Sequence, residues 1–122
     1  MDIVVGVSSF DRIIKHNEDL KNNGVVYHMQ YPPGQYLYVV GDLDNNIRTH
    51  YIHVVIYGQE AWNNYINMRD YLNTHEQAAK EYSELKESLA KKYPKDRSAY
   101  TNGKSAFIEK TLLMAAKWRE QL

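Results

Sequence analysis

The stretch from Ile47 to Leu72, IRTHYIHVVIYGQEAWNNYINMRDYL, constrains the fold more than any other part of the chain. Its first half, Ile47 to Tyr57, is β-branched and aromatic and reads as a strand. Its second half, from Glu60, carries Trp62, Tyr65, Ile66 and Leu72 at helical spacing. The turn Tyr57-Gly58-Gln59 joins them. A long strand that passes directly into an amphipathic helix predicts a sheet with that helix laid across it.

The strands before it fit the same sheet. Asp2 to Val7, DIVVGV, is a short β-branched run that reads as a buried strand. Phe10, Ile13, Ile14 and Leu20 give a helical stripe over Phe10 to Asn22, which Gly24 stops. Val25 to Gln30 is a second strand, broken by Pro32-Pro33-Gly34. Gln35 to Val40 is a third, with Tyr36, Tyr38 and Val40 alternating. Asp42 to Asn46 is a polar turn into the fourth. Short loops join strands two to four, which predicts an antiparallel meander. The first strand reaches the second through a helix and can lie parallel to its neighbour.

From Glu60 onward the pattern is helical. Ala78, Tyr82, Leu85, Leu89 and Tyr93 follow one another at spacings of four, three, four and four. Pro94 ends that helix. Asp96 caps a last helix from Arg97 to about Glu120, with Tyr100, Phe107, Ile108, Leu112 and Ala115 inward. Gly103 inside it marks close packing. The fold class is therefore α+β: a mixed, mainly antiparallel sheet of about four strands with C-terminal helices. At 122 residues the length fits one domain over 1–122.

Composition narrows the function classes. A formal net charge of zero gives no electrostatic argument for nucleic acid or an acidic membrane. The absence of cysteine excludes disulfides and thiolate metal sites and fits a reducing cytoplasm. No run approaches the ~18 apolar residues of a membrane span. No basic region leads into an apolar core at the N-terminus, so no signal peptide is read.

Several polar side chains fall where burial is expected. Arg69 is spaced to lie on the apolar face of its helix, as is Lys104, four residues after Tyr100. A cation aimed at a core needs a partner. Internal salt bridges, with Asp70 or Glu109 as partners, are one solution. An anion site in which the two cations share one polar pocket beside the sheet is the other. His50 and His53 point to opposite faces of a regular strand. His53 shares its face with Tyr51, Val55 and Tyr57; His50 shares its face with Arg48 and Ile52. An inward histidine is either a hydrogen-bonded core residue or an acid, base or ligand. Asp2 is a candidate metal ligand, for Mg²⁺, but Val4 stands where a second carboxylate on its face would lie. The Lys91, Lys92, Lys95, Arg97 cluster is a solvated helix end.

The run THYIHV, then YGQEAWNNYINMRDYLNTH, then AAKEYSELKESLAKKYPKDRSAYTNGKSAFI, resembles the GrpB family, a bacterial group similar in fold to the nucleotidyltransferases. The family's Arg-Asp-Tyr-Leu motif is matched by Arg69, Asp70, Tyr71 and Leu72. Its Asp-Arg-x-x-Tyr and Lys-x-x-Phe-Ile motifs are matched by Asp96, Arg97, Tyr100, Lys104, Phe107 and Ile108. The family's His-x-His strand motif is met by Tyr51 and His53, so its first histidine is a tyrosine here, and His50 matches another frequent family histidine. The strand from Asp2 matches the family's Ile-Asp-Ile strand. Family chains carry roughly fifty further residues upstream, a typical fraction of such a domain, with a Gly-Ser-Thr-Ser-Val-Pro-Gly segment. This chain starts after that region, as a natural short form, a misassigned start or a fragment.

The resemblance implies a nucleotidyltransferase-like fold and a phosphate-bearing or other anionic, nucleotide-like ligand. His53, Arg69 and Lys104 are expected to contact it, with Arg48, His50 and Tyr100 around them. The alternatives are a metal-dependent nucleotidyltransferase and a protein-interaction or accessory module. We expect no nucleotidyl transfer by this chain alone, because Asp2 lacks a second carboxylate. We also expect a homo-oligomer, since a strand beginning at residue 2 leaves a sheet edge open.

Overall fold

A computed structural model describes residues 1–31 and 34–122. Pro32 and Pro33, on which the Pro-Pro-Gly turn rests, lie outside the described residues. The chain divides into two compact units, Met1–Tyr65 and Ile66–Leu122. The elements run β1 (Asp2–Val7), α1 (Asp11–Ile14), α2 (Asn17–Asn22), β2 (Val26–Tyr31), β3 (Gln35–Val40), a 3-10 turn (Leu43–Asn45), β4 (His50–Ile56), α3 (Glu60–Thr74), α4 (Glu76–Lys92) and α5 (Arg97–Glu120). The class is α+β, as the patterning predicts.

In the first unit the four strands form one mixed sheet in the order β1-β4-β3-β2. β1 lies parallel to β4, while β3 is antiparallel to both β4 and β2. The meander and the parallel first strand are both present. β4 begins at His50, three residues later than the β-branched run suggests, because Ile47 to Thr49 still belong to the connection. There Ile47 N–H donates to Asp42 O at 2.9 Å and Thr49 N–H to Val40 O at 2.8 Å.

β1 is not the buried strand its apolar run suggests. It is an edge strand, and Ile3 and Val5 stay 39% and 36% exposed. An apolar run of this length has the same composition at an edge as in a centre, so the pattern could not separate them.

The two sheet faces are built differently. One carries Tyr36, Tyr38 and Val54, and α1 and α2 lie against it. Phe10 stacks on Tyr36 with ring centroids 4.3 Å apart, and Tyr27 meets Tyr38 edge-on at 5.5 Å. Tyr38 is fully buried, and its hydroxyl donates to Asn17 Oδ1. Burial raises the Tyr38 pKa, so that hydroxyl stays a neutral donor. The single helix expected over Phe10 to Asn22 is broken at Lys15-His16 into α1 and α2. The reason lies in the stripe: Lys15 to Asp19 hold no apolar residue, and Asn17 turns in to meet Tyr38. Gly24, at φ +87°, ends α2 as predicted.

The opposite face carries Leu37, Val39, His53 and Val55. The first turns of α3 pack on it, with Trp62 against Gly6 and Tyr57. Leu37, Val39, Val54 and Val55 are all buried, each contributing roughly 1.5–3 kcal/mol of transfer free energy.

The second unit contains the end of α3 and the pair α4 and α5. Asp96 caps α5 by accepting from Ala99 N–H at 3.0 Å. Tyr82 stacks on Phe107 at 5.3 Å. Leu89 sits over Gly103, where a Cβ would come within 2.5 Å of Leu89 Cδ2. The glycine lets the helices approach, as its place in an otherwise regular helix predicts. No helix among the described residues is long and apolar enough to cross a membrane.

Candidate functional site

His53 is set by β4 register. It is paired with Val4 on β1 and Leu37 on β3, and its side chain is 12% exposed. Both ring nitrogens are engaged. Nδ1 lies 3.3 Å from the Tyr65 hydroxyl, and that hydroxyl donates to Gln35 Oε1 at 2.7 Å. A phenol has one proton. Given to Gln35, it leaves the Tyr65 oxygen to accept from His53 Nδ1–H. Nε2 then faces the Asp2 carboxylate at 3.4 Å. In the imidazolium form Nε2–H donates to Asp2; in the neutral form this tautomer turns a lone pair toward it.

The two sides of the imidazole differ in firmness. Tyr65 and Gln35 sit on α3 and β3 and hold Nδ1 from the sheet side. Asp2 is 70% exposed, at the start of an edge strand. The 3.4 Å separation is longer than the 2.7–2.9 Å of a tight charge-assisted bond. Tyr65 thus holds His53 from the sheet side, while the partner at Nε2 is an exposed carboxylate.

The structure brings Asp2 and His53 together across 51 residues of sequence. Tyr65 and Gln35, the other half of the cluster, were not singled out from the sequence. Tyr65 reads as one more residue of the α3 stripe. Gln35 shares the parity of Leu37, the partner of His53, a signal visible only once the register is known. The Asp2 site does not fit Mg²⁺: that ion selects octahedral oxygen ligands, and Val4 occupies the place of a second carboxylate. Among the described residues no three His, Cys, Asp or Glu side chains gather.

The other candidates are distributed. His50 Nδ1 lies 2.7 Å from Thr49 Oγ1. Arg48 precedes β4, is half-buried, and places Nη1 3.5 Å from His28 Nε2. Arg69 is expected inward but is 60% exposed, because its guanidinium turns to the adjacent Asp70 at 2.9 Å. Asp70 also binds Arg119 at 2.5 Å, and Arg119 donates to Asn67 at 3.1 Å. Hydrogen bonds from Arg119 and then Arg69 hold the Asp70 carboxyl below its ordinary pKa. Of the two partners weighed for Arg69, Asp70 is the one it meets, but on an exposed helix surface rather than internally. Lys104 Nζ lies over the Tyr100 ring at 4.8 Å, a cation–π contact one turn apart on α5. Each of these two cations is engaged on its own helix.

An α+β chain with a mixed β1-β4-β3-β2 sheet, C-terminal helices and a histidine-centred polar cluster on one sheet face is the class that this geometry defines. The family model described as GrpB protein matches residues 1–113, and the chain belongs to that family. It is 39% identical over 115 residues to Glutamate-rich protein GrpB of Alkalihalophilus pseudofirmus, covering 92% of this chain and 66% of that protein. It is 30% identical to UPF0157 protein YqkA of Bacillus subtilis, covering 98% of this chain and 34% of that protein. The chain thus spans two thirds or less of these relatives. The crystal structure of conserved protein GrpB from Enterococcus faecalis superposes with a TM-score of 0.82 at 24% identity, over 97% of this chain and 70% of that one. That likeness establishes the fold.

Proposed function

We propose that this chain binds a phosphate-bearing or other anionic, nucleotide-like small molecule through His53, and does not itself carry out nucleotidyl transfer. The observation that supports this is the asymmetry around the imidazole. Tyr65 and Gln35 fix Nδ1, whereas Nε2 meets an exposed carboxylate at 3.4 Å. Asp2 marks the position in which an anionic oxygen accepts from Nε2–H. A ligand oxyanion can take that position once Asp2 swings into solvent. Tyr65 and Gln35 add the mixed donors and acceptors that hydroxyls and base edges need. A metal-dependent transferase would need oxygen ligands beyond Asp2, and Val4 supplies none.

The test is a thermal-shift and titration series with nucleoside mono- and triphosphates. A ligand at ~100 times its Kd stabilises the native state by about 2.7 kcal/mol. His53→Gln should remove the part of that shift that Arg48→Gln leaves in place. Asp2→Asn should tighten binding about fivefold, since a like charge about 4 Å away costs ~1 kcal/mol in water. A metal-dependent enzyme gives the opposite result: turnover of labelled nucleotide with Mg²⁺ or Mn²⁺ that disappears in Asp2→Ala. An interaction module gives no shift with any nucleotide.

A further inference from the structure

We propose that Arg48 and His28 form a second site, for a tetrahedral oxyanion such as phosphate or a phosphoryl group, independent of the His53 reading. The starting point is a charge without a counter-charge. Arg48 is half-buried and its guanidinium is always protonated. The ion pairs among the described residues engage Asp19, Asp2 and Asp70, and none reaches Arg48. Its Nε is also the one buried side-chain polar atom among the described residues that lacks a hydrogen-bond partner. Buried polar groups are normally satisfied and buried charges normally paired, so an exception calls for an account.

The neighbour of the guanidinium is an imidazole, whose Nε2 accepts from Arg48 when it carries the lone pair and donates to an anion when it carries the proton. His28 Nε2 stands 3.5 Å from Arg48 Nη1, at the outer limit of a hydrogen bond. Donors at that separation reach a single oxyanion together, each at about 2.7–2.9 Å. Backbone features place both residues. The β2–β3 register shifts between Tyr27 and Met29, so His28 occupies an irregularity of the ladder. Such bulges re-aim a side chain and are common beside functional sites. Arg48 lies in the tight connection before β4. There Gly41 has φ +150°, and a Cβ on it would strike the backbone of Ile47 and Arg48. The Arg48 backbone is thus pinned while its guanidinium carries no protein counter-ion. His28 is exposed, so an anion reaches the Nη edge from solvent. Nε stays inside; the anion neutralises the charge, not that N–H.

The experiment is a titration of the whole chain with inorganic phosphate, followed by amide chemical shifts. Saturable shifts are expected around 26–30 and 47–50. Arg48→Gln should weaken binding roughly tenfold or more, the loss of one charge-assisted contact. Arg48→Lys keeps the charge but not the planar fork, and should fall between. His28→Gln should weaken it less, and His53→Gln should leave it unchanged. Shifts that stay linear to the highest phosphate concentration, that survive in folded Arg48→Gln, or that vanish in His53→Gln overturn the proposal.

Discussion

Gly103→Ala tests the packing of α4 on α5, because two well-known effects oppose each other there. Alanine is favoured over glycine inside a helix by about 0.8–1 kcal/mol. On an unobstructed face the substitution would stabilise by that amount. Here the new methyl would lie 2.5 Å from Leu89 Cδ2 and 3.1 Å from Leu89 Cδ1. Leu89 is 9% exposed, so it has little room to turn away. Adding a methyl to a filled contact costs about 1–3 kcal/mol. The sum is a net destabilisation of about 1 kcal/mol, or ~4 °C in Tm for a chain of this size. Urea unfolding of the single variant reads the sign. The control is the same substitution in a Leu89→Ala background. With the clashing methyls gone, Gly103→Ala should stabilise by about 1 kcal/mol, a coupling of ~2 kcal/mol between the sites. Stabilisation in the wild-type background, or equal effects in the two backgrounds, would refute the reasoning.

Three further outcomes are expected. The Asp70 carboxyl is held below its ordinary value of 3.8, so its contribution is fully present above that pH and is lost as pH falls through the depressed folded value; Asp70→Asn should flatten the acid limb of urea midpoints measured between about pH 5 and 2. Gly6→Ala places a Cβ 2.9 Å from Trp62 Cζ3 and 3.2 Å from Tyr57 Cδ2, two rigid rings, and should cost about 1–3 kcal/mol with a shift in tryptophan emission. Tyr38→Phe removes the donor to Asn17 Oδ1 from a part-buried hydrogen bond and should cost about 1 kcal/mol by chemical denaturation; no change would mean that this bond contributes nothing.

Local patterns made most of the elements legible, and long-range register hid the rest. Asp96 before Arg97, and Pro94 after Tyr93, give the ends of α4 and α5 because capping and proline geometry act over a few residues. The antiparallel meander follows from short loops. What failed depended on a neighbour. The break in α1–α2 depends on Asn17 meeting Tyr38, and the edge position of β1 depends on the strand order. Half of the His53 cluster was readable from residue type and strand parity. Tyr65 and Gln35 become part of it only through the pairing of β3 with β4 and the start of α3 on that face.

Three of the five arginines, Arg48, Arg69 and Arg119, show why residue type and stripe position cannot by themselves assign a cation to a ligand. Arg69 and Arg119 both converge on Asp70, whose backbone neighbour Tyr71 is 6% exposed, stacks on His75 at 3.8 Å and meets Trp118 edge-on. The Arg-Asp-Tyr-Leu run therefore joins the end of α3 to α5 within the second unit: its carboxylate accepts from two guanidiniums and its ring packs against His75 and Trp118. Spacing placed Arg69 inward, but the residue beside it decided where the charge went, because a carboxylate within 3 Å outweighs a helix-face preference worth a few tenths of a kcal/mol. Arg48 shares a strand face with His50 and Ile52 in the sequence reading, but it lies in the connection before β4. Its nearest acidic residues in sequence are Asp42 and Asp44, yet the turn that carries them does not bring either to within ion-pair distance among the described contacts. That Arg48 meets no carboxylate among the described residues is a property of the β3–β4 connection rather than of the arginine.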